Sequence, residues 1–128
     1  MPPVEAIILI DHGSAHEPAN AALERLARQV ADRTGVATYP AHMTLAAPTL
    51  GEAIAAAAGA GARRMVVCPM FLTAGLHSRR DIPRLLAEAR QAHPDLELVA
   101  IDPLGADAAV AEWVARHVGP SLQAGTGT

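Results

Sequence analysis

The hydrophobic positions of this chain alternate between short apolar runs and longer stretches in which apolar residues recur every three or four positions. The short runs predict strands, because an apolar run bounded by turn residues is typical of a strand buried on both faces. These runs lie at residues 5–11, 36–44, 63–71 and 96–101. The longer stretches predict amphipathic helices. They lie at residues 18–33, 49–60, 80–92 and 106–118. Gly35 is expected to end the first helix, Thr49 with Glu52 three residues later to begin the second, and Pro83 to mark the start of the third.

This alternation predicts an α/β fold, a four-stranded parallel sheet whose right-handed crossovers place helices on both faces. We expect the strand order 2-1-3-4 of a flavodoxin-like half-domain. In that order the junction of strands 1 and 3 is the topological switch point, where open α/β sheets bind their ligands. Residues 1–120 are expected to form this single domain, and residues 121–128 a flexible tail.

Composition narrows the class of protein. The 128 residues suit one domain, and the formal net charge of −3 argues against a nucleic-acid partner, which needs a clustered basic face. No apolar run has the length of a membrane span, and residues 1–5 lack the features of a signal peptide. Cys68 is the single cysteine, so we interpret it as a small buried residue rather than a reactive thiol. These features predict a reduced, cytoplasmic protein without a membrane partner.

Two histidines follow the strands that meet at the switch point. His12 comes directly after strand 1, and His77 follows strand 3. Because neighbouring strands lie about 4.8 Å apart, we expect the two imidazoles to meet over the crevice and share one metal ion. Gly13 and Gly75 stand close to them in sequence, and glycine permits the close backbone approach of a large ligand. A metal site is therefore predicted at this rim of the sheet.

A third histidine and a group of arginines extend the predicted rim. His42 and Thr44 lie at the end of strand 2, and their spacing of two residues predicts that they share one face. Arg79, Arg80 and Arg84 lie at the predicted start of the third helix, where cations oppose the helix dipole. The arginines therefore indicate an anionic ligand, with an ordinary solvated surface as the alternative.

Four blocks of the sequence carry a family resemblance. They are Asp11-His12-Gly13-Ser14 with Pro18 to Asn20, Pro40-Ala41-His42-Met43 with Pro48-Thr49, Pro69-Met70-Phe71-Leu72 through Gly75-Leu76-His77 to Asp81-Ile82-Pro83, and Pro103-Leu104-Gly105. Over residues 5–118 the chain resembles the short class II chelatases of the sirohydrochlorin cobaltochelatase and ferrochelatase type. The combination of His-Gly-Ser with Phe-Leu-x-x-Gly-x-His-x-x-x-Asp-Ile-Pro is too specific for chance agreement.

The resemblance implies a reaction and its site residues. The reaction is the insertion of a divalent metal ion (Co, Fe or Ni) into sirohydrochlorin or a related carboxylate-rich tetrapyrrole, for the biosynthesis of cobalamin, siroheme or a related cofactor. The metal is a substrate and no cofactor is consumed. By resemblance His12 is the metal-binding proton acceptor and His77 the other metal ligand. Substrate contacts are implied for Thr44, Leu72, Thr73, Ala74, Gly75 and Leu76. Short members of the family work as homodimers, so a second copy of this chain is the expected partner.

The chain differs from the family pattern at two positions. The family usually has a glutamate where this chain has Thr44, and an arginine where it has Ala15. Since a carboxylate would help to hold the ion or accept a proton, two hypotheses stay open: a chelatase that is slow or relies on His42 instead, and a non-catalytic carrier of metal or tetrapyrrole. A hydrolase built on Ser14 is a distant third. The chain lacks a Gly-x-Ser-x-Gly elbow, and Ser14 followed by Glu17 is typical of a helix cap.

Overall fold

A computed structural model describes residues 2–72 and 76–123, with the backbone alone for residues 76–79. Within these residues the strands are β1 (Glu5–Asp11), β2 (Thr38–His42), β3 (Arg64–Pro69) and β4 (Glu97–Ala100). The α-helices are α1 (Glu17–Thr34), α2 (Leu50–Gly59), α3 (Leu76–Ala92) and α4 (Ala108–Val118). Short 3-10 helices lie at Leu104–Ala106 and Gly119–Ser121.

The four strands form one parallel sheet in the order β2-β1-β3-β4, which confirms the predicted topology. β1 and β3 are central neighbours, and their register pairs Ile10 with Pro69. On its other side β1 pairs Asp11 with His42 of β2. The residues that follow β1 therefore leave the sheet between the ends of β2 and β3, at the topological switch point.

The sheet is covered on both faces, and the two cores differ in size. The larger core lies under α2 and α3, and includes Ile8, Ile54, Met65, Val67 and Leu86. The smaller core lies under α1, and consists of Leu9, Leu23 and Ala27. β1 contributes side chains to both cores in alternation, so packing on both faces of the sheet holds this strand. The residue that follows β1 is therefore held in place at the edge of the sheet.

Capping interactions define the end of α1 and the start of α2, the two helices on either side of β2. Gly35 ends α1 in the left-handed conformation, with φ 72°, as its position in the sequence predicts. Thr49 and Glu52 begin α2 with a capping box, which is also as predicted. The Thr49 hydroxyl accepts the Glu52 backbone N–H at 3.2 Å, and the Glu52 carboxylate accepts the Thr49 backbone N–H at 2.9 Å.

The end of β2 differs from the prediction. β2 ends at His42, two residues earlier than expected, and Leu45 adopts φ 67° in the bends that follow. A positive φ turns the chain out of the extended conformation. The prediction that His42 and Thr44 share one strand face is therefore wrong: His42 is buried, and Thr44 is exposed.

The start of α3 also differs from the prediction. α3 begins at Leu76 rather than at residue 80, so the backbone of His77 lies in the first turn of a helix and not in a loop directly after β3. Pro83 was expected near the helix start, where its missing N–H costs nothing, but it lies inside α3. The buried side chains of Ile82, Leu86 and Ala89 pack this helix against the core, and that burial outweighs the lost hydrogen bond.

The end of the chain is described as far as residue 123. Residues 119–121 form a 3-10 turn directly after α4, and residues 124–128 of the predicted tail lie outside the described residues. No α-helix within residues 2–72 and 76–123 combines the length and the hydropathy of a membrane-spanning segment.

Candidate metal-insertion site

His12 lies where the sequence predicts it, directly beyond β1 at the switch point. Its imidazole stacks on the ring of Phe71, which follows β3, with ring centroids 4.3 Å apart and an interplanar angle of 29°. Phe71 is buried and His12 is exposed. One face of the imidazole is thus held by the core, and the ring stays accessible to a ligand.

Only glycine fits at position 13, because the neighbouring backbone approaches too closely for a side chain. Gly13 has φ 85°, and a Cβ at this position would overlap the carbonyl oxygen of Thr44. Thr44 in turn donates its backbone N–H to the carbonyl of His12 at 3.0 Å. The close approach predicted at Gly13 is therefore made by this chain's own segment after β2, which lies against the His12 turn. Gly75 lies outside the described residues.

Asn20 fixes the loop on the far side of His12. Its side-chain oxygen accepts the Ser14 backbone N–H at 3.0 Å, and its amide donates to the Ser14 carbonyl at 2.7 Å. The predicted helix cap at Ser14 is wrong, because the N-cap residue of α1 is His16, and the Ser14 hydroxyl accepts the His16 backbone N–H. Asn20 stands in the first block of the family resemblance, which assigns it no role. Its spacing with Leu23 is a second cue, because it puts a polar residue on the buried helix face.

His42 does not lie on the open rim. Its side chain is only 1% exposed, and its Nδ1 lies 2.5 Å from Oδ1 of Asp11. The same Asp11 oxygen accepts the backbone N–H of Gly13 at 2.9 Å. The predicted third imidazole at the rim is therefore a buried partner of Asp11.

A cavity of about 310 Å³ opens beside His12. It is lined by His12, Met43, Thr44, Asp81, Arg84 and Leu85. Arg84 is 56% exposed and is paired with two carboxylates of its own helix, Asp81 at 3.5 Å and Glu88 at 3.0 Å. The cavity therefore combines an imidazole, a hydroxyl, a carboxylate and a guanidinium on mostly apolar surroundings, a set of groups that can contact one part of a ligand.

Several predicted site residues lie outside the described part of the chain. These are Thr73, Ala74 and Gly75, together with the side chains of Leu76, His77 and Arg79. Leu72 is described, is 69% exposed, and lies on a different groove from His12. Among the side chains that are described, no three His, Cys, Asp or Glu residues are grouped closely enough to share a metal ion. The pairing of His12 with His77 therefore stays a prediction.

Cys68 has the environment of a packed residue. It is partly buried under α1, and its Sγ lies 3.8 Å from Sδ of Met70. Burial raises the pKa of the Cys68 thiol, which lowers the fraction of reactive thiolate near neutral pH.

Comparison with known proteins places these features in a family. Residues 6–120 match the family model described as CbiX. The chloroplastic sirohydrochlorin ferrochelatase of Arabidopsis thaliana is 37% identical over 102 residues, covering 79% of this chain and 45% of the relative. The sirohydrochlorin cobaltochelatase of Methanopyrus kandleri is 32% identical over 138 residues, covering 91% of this chain and 96% of the relative. A solved CbiX protein from Marinobacter aquaeolei VT8 superposes with a TM-score of 0.82 at 28% identity, over 93% of this chain and 98% of that one. The chain thus spans less than half of the first relative and nearly all of the other two.

Proposed function

Because this chain belongs to the CbiX family, we propose that it inserts Co²⁺, Fe²⁺ or Ni²⁺ into sirohydrochlorin or a related carboxylate-rich tetrapyrrole, for cobalamin, siroheme or related cofactor biosynthesis. The Arabidopsis and Methanopyrus relatives are named for this reaction with iron and with cobalt. One observation carries the proposal. The accessible imidazole of His12 is stacked on Phe71 at the switch point, and it lines a cavity with Arg84.

Metal insertion exchanges one divalent ion for two protons. Two pyrrole nitrogens of the macrocycle lose their protons as the ion enters, and the ion leaves its earlier ligands. A neutral imidazole suits both events, because it binds divalent transition metals and is basic near neutral pH. We assign the role of metal ligand to His12 and that of second ligand to His77. Once His12 has released the ion to the macrocycle, its free nitrogen is the proposed proton acceptor, and both pyrrole protons pass on to solvent. The metal is a substrate, and the reaction consumes no cofactor.

An absorbance assay tests this proposal. Purified protein is mixed with sirohydrochlorin and one of Co²⁺, Fe²⁺ or Ni²⁺, and the macrocycle spectrum is followed against a protein-free control at the same pH. We expect metallation to be faster with protein for at least one of the metals, and their relative rates to identify the preferred ion. Rates equal to the protein-free control for all three metals would refute the proposed activity.

Arg84 is the proposed partner of a peripheral carboxylate on the macrocycle. It lines the cavity with His12, and Asp81 and Glu88 hold its guanidinium in place. Arg84→Gln should weaken sirohydrochlorin binding by about two- to fivefold, the scale of one exposed ion pair. The difference from the wild type should shrink as NaCl is raised, because exposed charges are screened. Fluorescence or absorbance titration of the metal-free macrocycle measures both.

Arg28→Gln is the matched control for this prediction. Arg28 is also an exposed helical arginine, but it lies on α1. The Arg28→Gln substitution should leave the affinity for the macrocycle unchanged. Neither Arg28→Gln nor Arg84→Gln should alter the affinity for Co²⁺. Equal losses of macrocycle and metal affinity in Arg84→Gln would indicate local unfolding of the site instead.

The expected homodimer finds support in the surface of α4. All residues of α4 are described and none is buried. Trp113 and Val114 are 58% and 45% exposed, and they line an apolar groove of about 450 Å³ with Leu72 and Leu104. Exposed apolar side chains that lie side by side, rather than scattered singly, mark a candidate protein interface. We propose that a second copy of the chain covers it, in keeping with the Arabidopsis relative, of which this chain covers 45%.

Trp113→Glu tests this interface. A charge in the centre of an apolar contact is strongly unfavourable unless it is paired, so we expect the variant to elute at the 13.2 kDa of one chain, and the wild type at twice that mass. Light scattering coupled to gel filtration at micromolar concentration measures both species. Val4→Glu is the control, since Val4 is also well exposed but precedes β1. A wild-type monomer would contradict the proposed dimer.

We further propose that the protein works in the cytoplasm without a nucleic-acid or membrane partner. The single cysteine and its packed environment support a reducing compartment. The net charge of −3 supports the exclusion of nucleic acid.

A further inference from the structure

We propose that His42 is a positioning residue of the metal site, acting through Asp11 on the turn that carries His12. The inference rests on the proposed function, since it concerns the geometry of the proposed metal ligand. His42 lies on β2 in register with Asp11 on β1, and its Nδ1 is 2.5 Å from Asp11 Oδ1. An ionised carboxylate only accepts hydrogen bonds, which assigns the proton to Nδ1 and makes His42 the donor.

The carboxylate that His42 holds also closes the turn around His12. Asp11 Oδ1 accepts the backbone N–H of Gly13 at 2.9 Å, so this one oxygen bridges from the residue before His12 to the residue after it. The carbonyl of His12 is held from the other side by the backbone N–H of Thr44. Rotation of the Asp11 side chain would open the turn, and the hydrogen bond from His42 opposes that rotation. His42 thereby controls how the His12 imidazole is presented.

Packing alone does not favour a histidine at this position. The His42 side chain is 1% exposed, and its Nε2 has no hydrogen-bond partner among the described residues. A buried polar atom without a partner lowers stability. An apolar ring of similar size would therefore suit this part of the core at least as well. A residue that is unfavourable for packing, yet orients a functional turn, is typical of a functional site.

Two substitutions separate positioning from packing. His42→Phe keeps the ring and removes the hydrogen bond, whereas His42→Asn keeps a side-chain N–H near the position of Nδ1. We expect His42→Phe to lower Co²⁺ affinity by about tenfold, the scale for losing a partner that orients a ligand, with a melting temperature equal to or above that of the wild type. His42→Asn should recover most of the affinity. Calorimetric titration of the metal-free protein and thermal denaturation give the two readouts.

The controls distinguish failure of this inference from failure of the proposed function. Tyr39→Phe removes a hydroxyl from the same strand, at a position in register with Ile8 rather than Asp11, and should bind Co²⁺ like the wild type. If His12→Ala loses Co²⁺ affinity while His42→Phe keeps it, the inference is wrong and the metal site stands. If His12→Ala also keeps its affinity, the proposed metal site itself is wrong. A His42→Phe protein that is unfolded or clearly less stable, or a loss that His42→Asn does not rescue, would assign His42 a packing role and overturn the inference.

Discussion

Replacing His12 with alanine should lower the Co²⁺ affinity of the folded protein by at least about tenfold and stop the metallation of sirohydrochlorin. The imidazole is the one accessible ring at the switch point that the described residues provide, and Phe71 supports it from the core. The protein should remain folded, because His12 is exposed and contributes little buried surface. Titration calorimetry with Co²⁺ measures the affinity, and thermal denaturation confirms the fold.

His16→Ala is the matched control for this loss. His16 is exposed, lies four residues further along the same loop, and does not line the cavity. It should bind Co²⁺ like the wild type. His77→Ala is expected to behave like His12→Ala if the two imidazoles share the ion. Wild-type Co²⁺ affinity in both His12→Ala and His77→Ala would show that the metal binds elsewhere.

Introducing a carboxylate at position 44 should raise the rate of metallation by roughly 10²-fold, the lower range for a general base. Thr44 is exposed and lines the same cavity as His12, so a glutamate side chain there would lie at the proposed macrocycle site. A hydroxyl is a weak neutral ligand with no useful basicity near pH 7. His42 does not replace the missing base, since it is buried against Asp11. The measurement is the initial rate with saturating Co²⁺ and sirohydrochlorin.

Thr44→Gln separates the effect of charge from that of size. The glutamine side chain matches glutamate in length but neither accepts a proton nor carries a charge near neutral pH. It should leave the rate close to that of the wild type. An equal gain in both variants would show that side-chain size, not charge, raises the rate. An unchanged rate in Thr44→Glu would show that position 44 takes no part in metallation, which would then depend on the histidines alone.

The parts of this molecule that the sequence predicts are those set by local interactions. The apolar runs and the caps at Gly35 and Thr49 depend on residues close in the chain. The alternation of strands and helices indicates a parallel sheet, and the flavodoxin-like pattern supplies the strand order. The sequence also predicts the position of His12 at the edge of the sheet, because His12 is the first residue after β1.

The details of the rim depend on contacts between distant residues, and these were missed. The Asp11–His42 pair joins residues 31 positions apart, and no local pattern indicates it. Thr44 leaves the predicted strand because its backbone N–H bonds to His12 and because Leu45 has a positive φ. The place of Pro83 inside α3 also depends on tertiary packing, since the burial of Ile82, Leu86 and Ala89 outweighs the preference of proline for a first turn.

The number of sirohydrochlorin molecules metallated per protein chain distinguishes an enzyme from a carrier. Protein is added at a small fraction of the macrocycle concentration, with the preferred metal in excess, and product is followed until the spectrum stops changing. An enzyme metallates many equivalents, at an initial rate proportional to protein concentration and lost in His12→Ala, which is the result we expect. A spectral change that stops at one macrocycle per chain would contradict the proposed chelatase and identify a carrier.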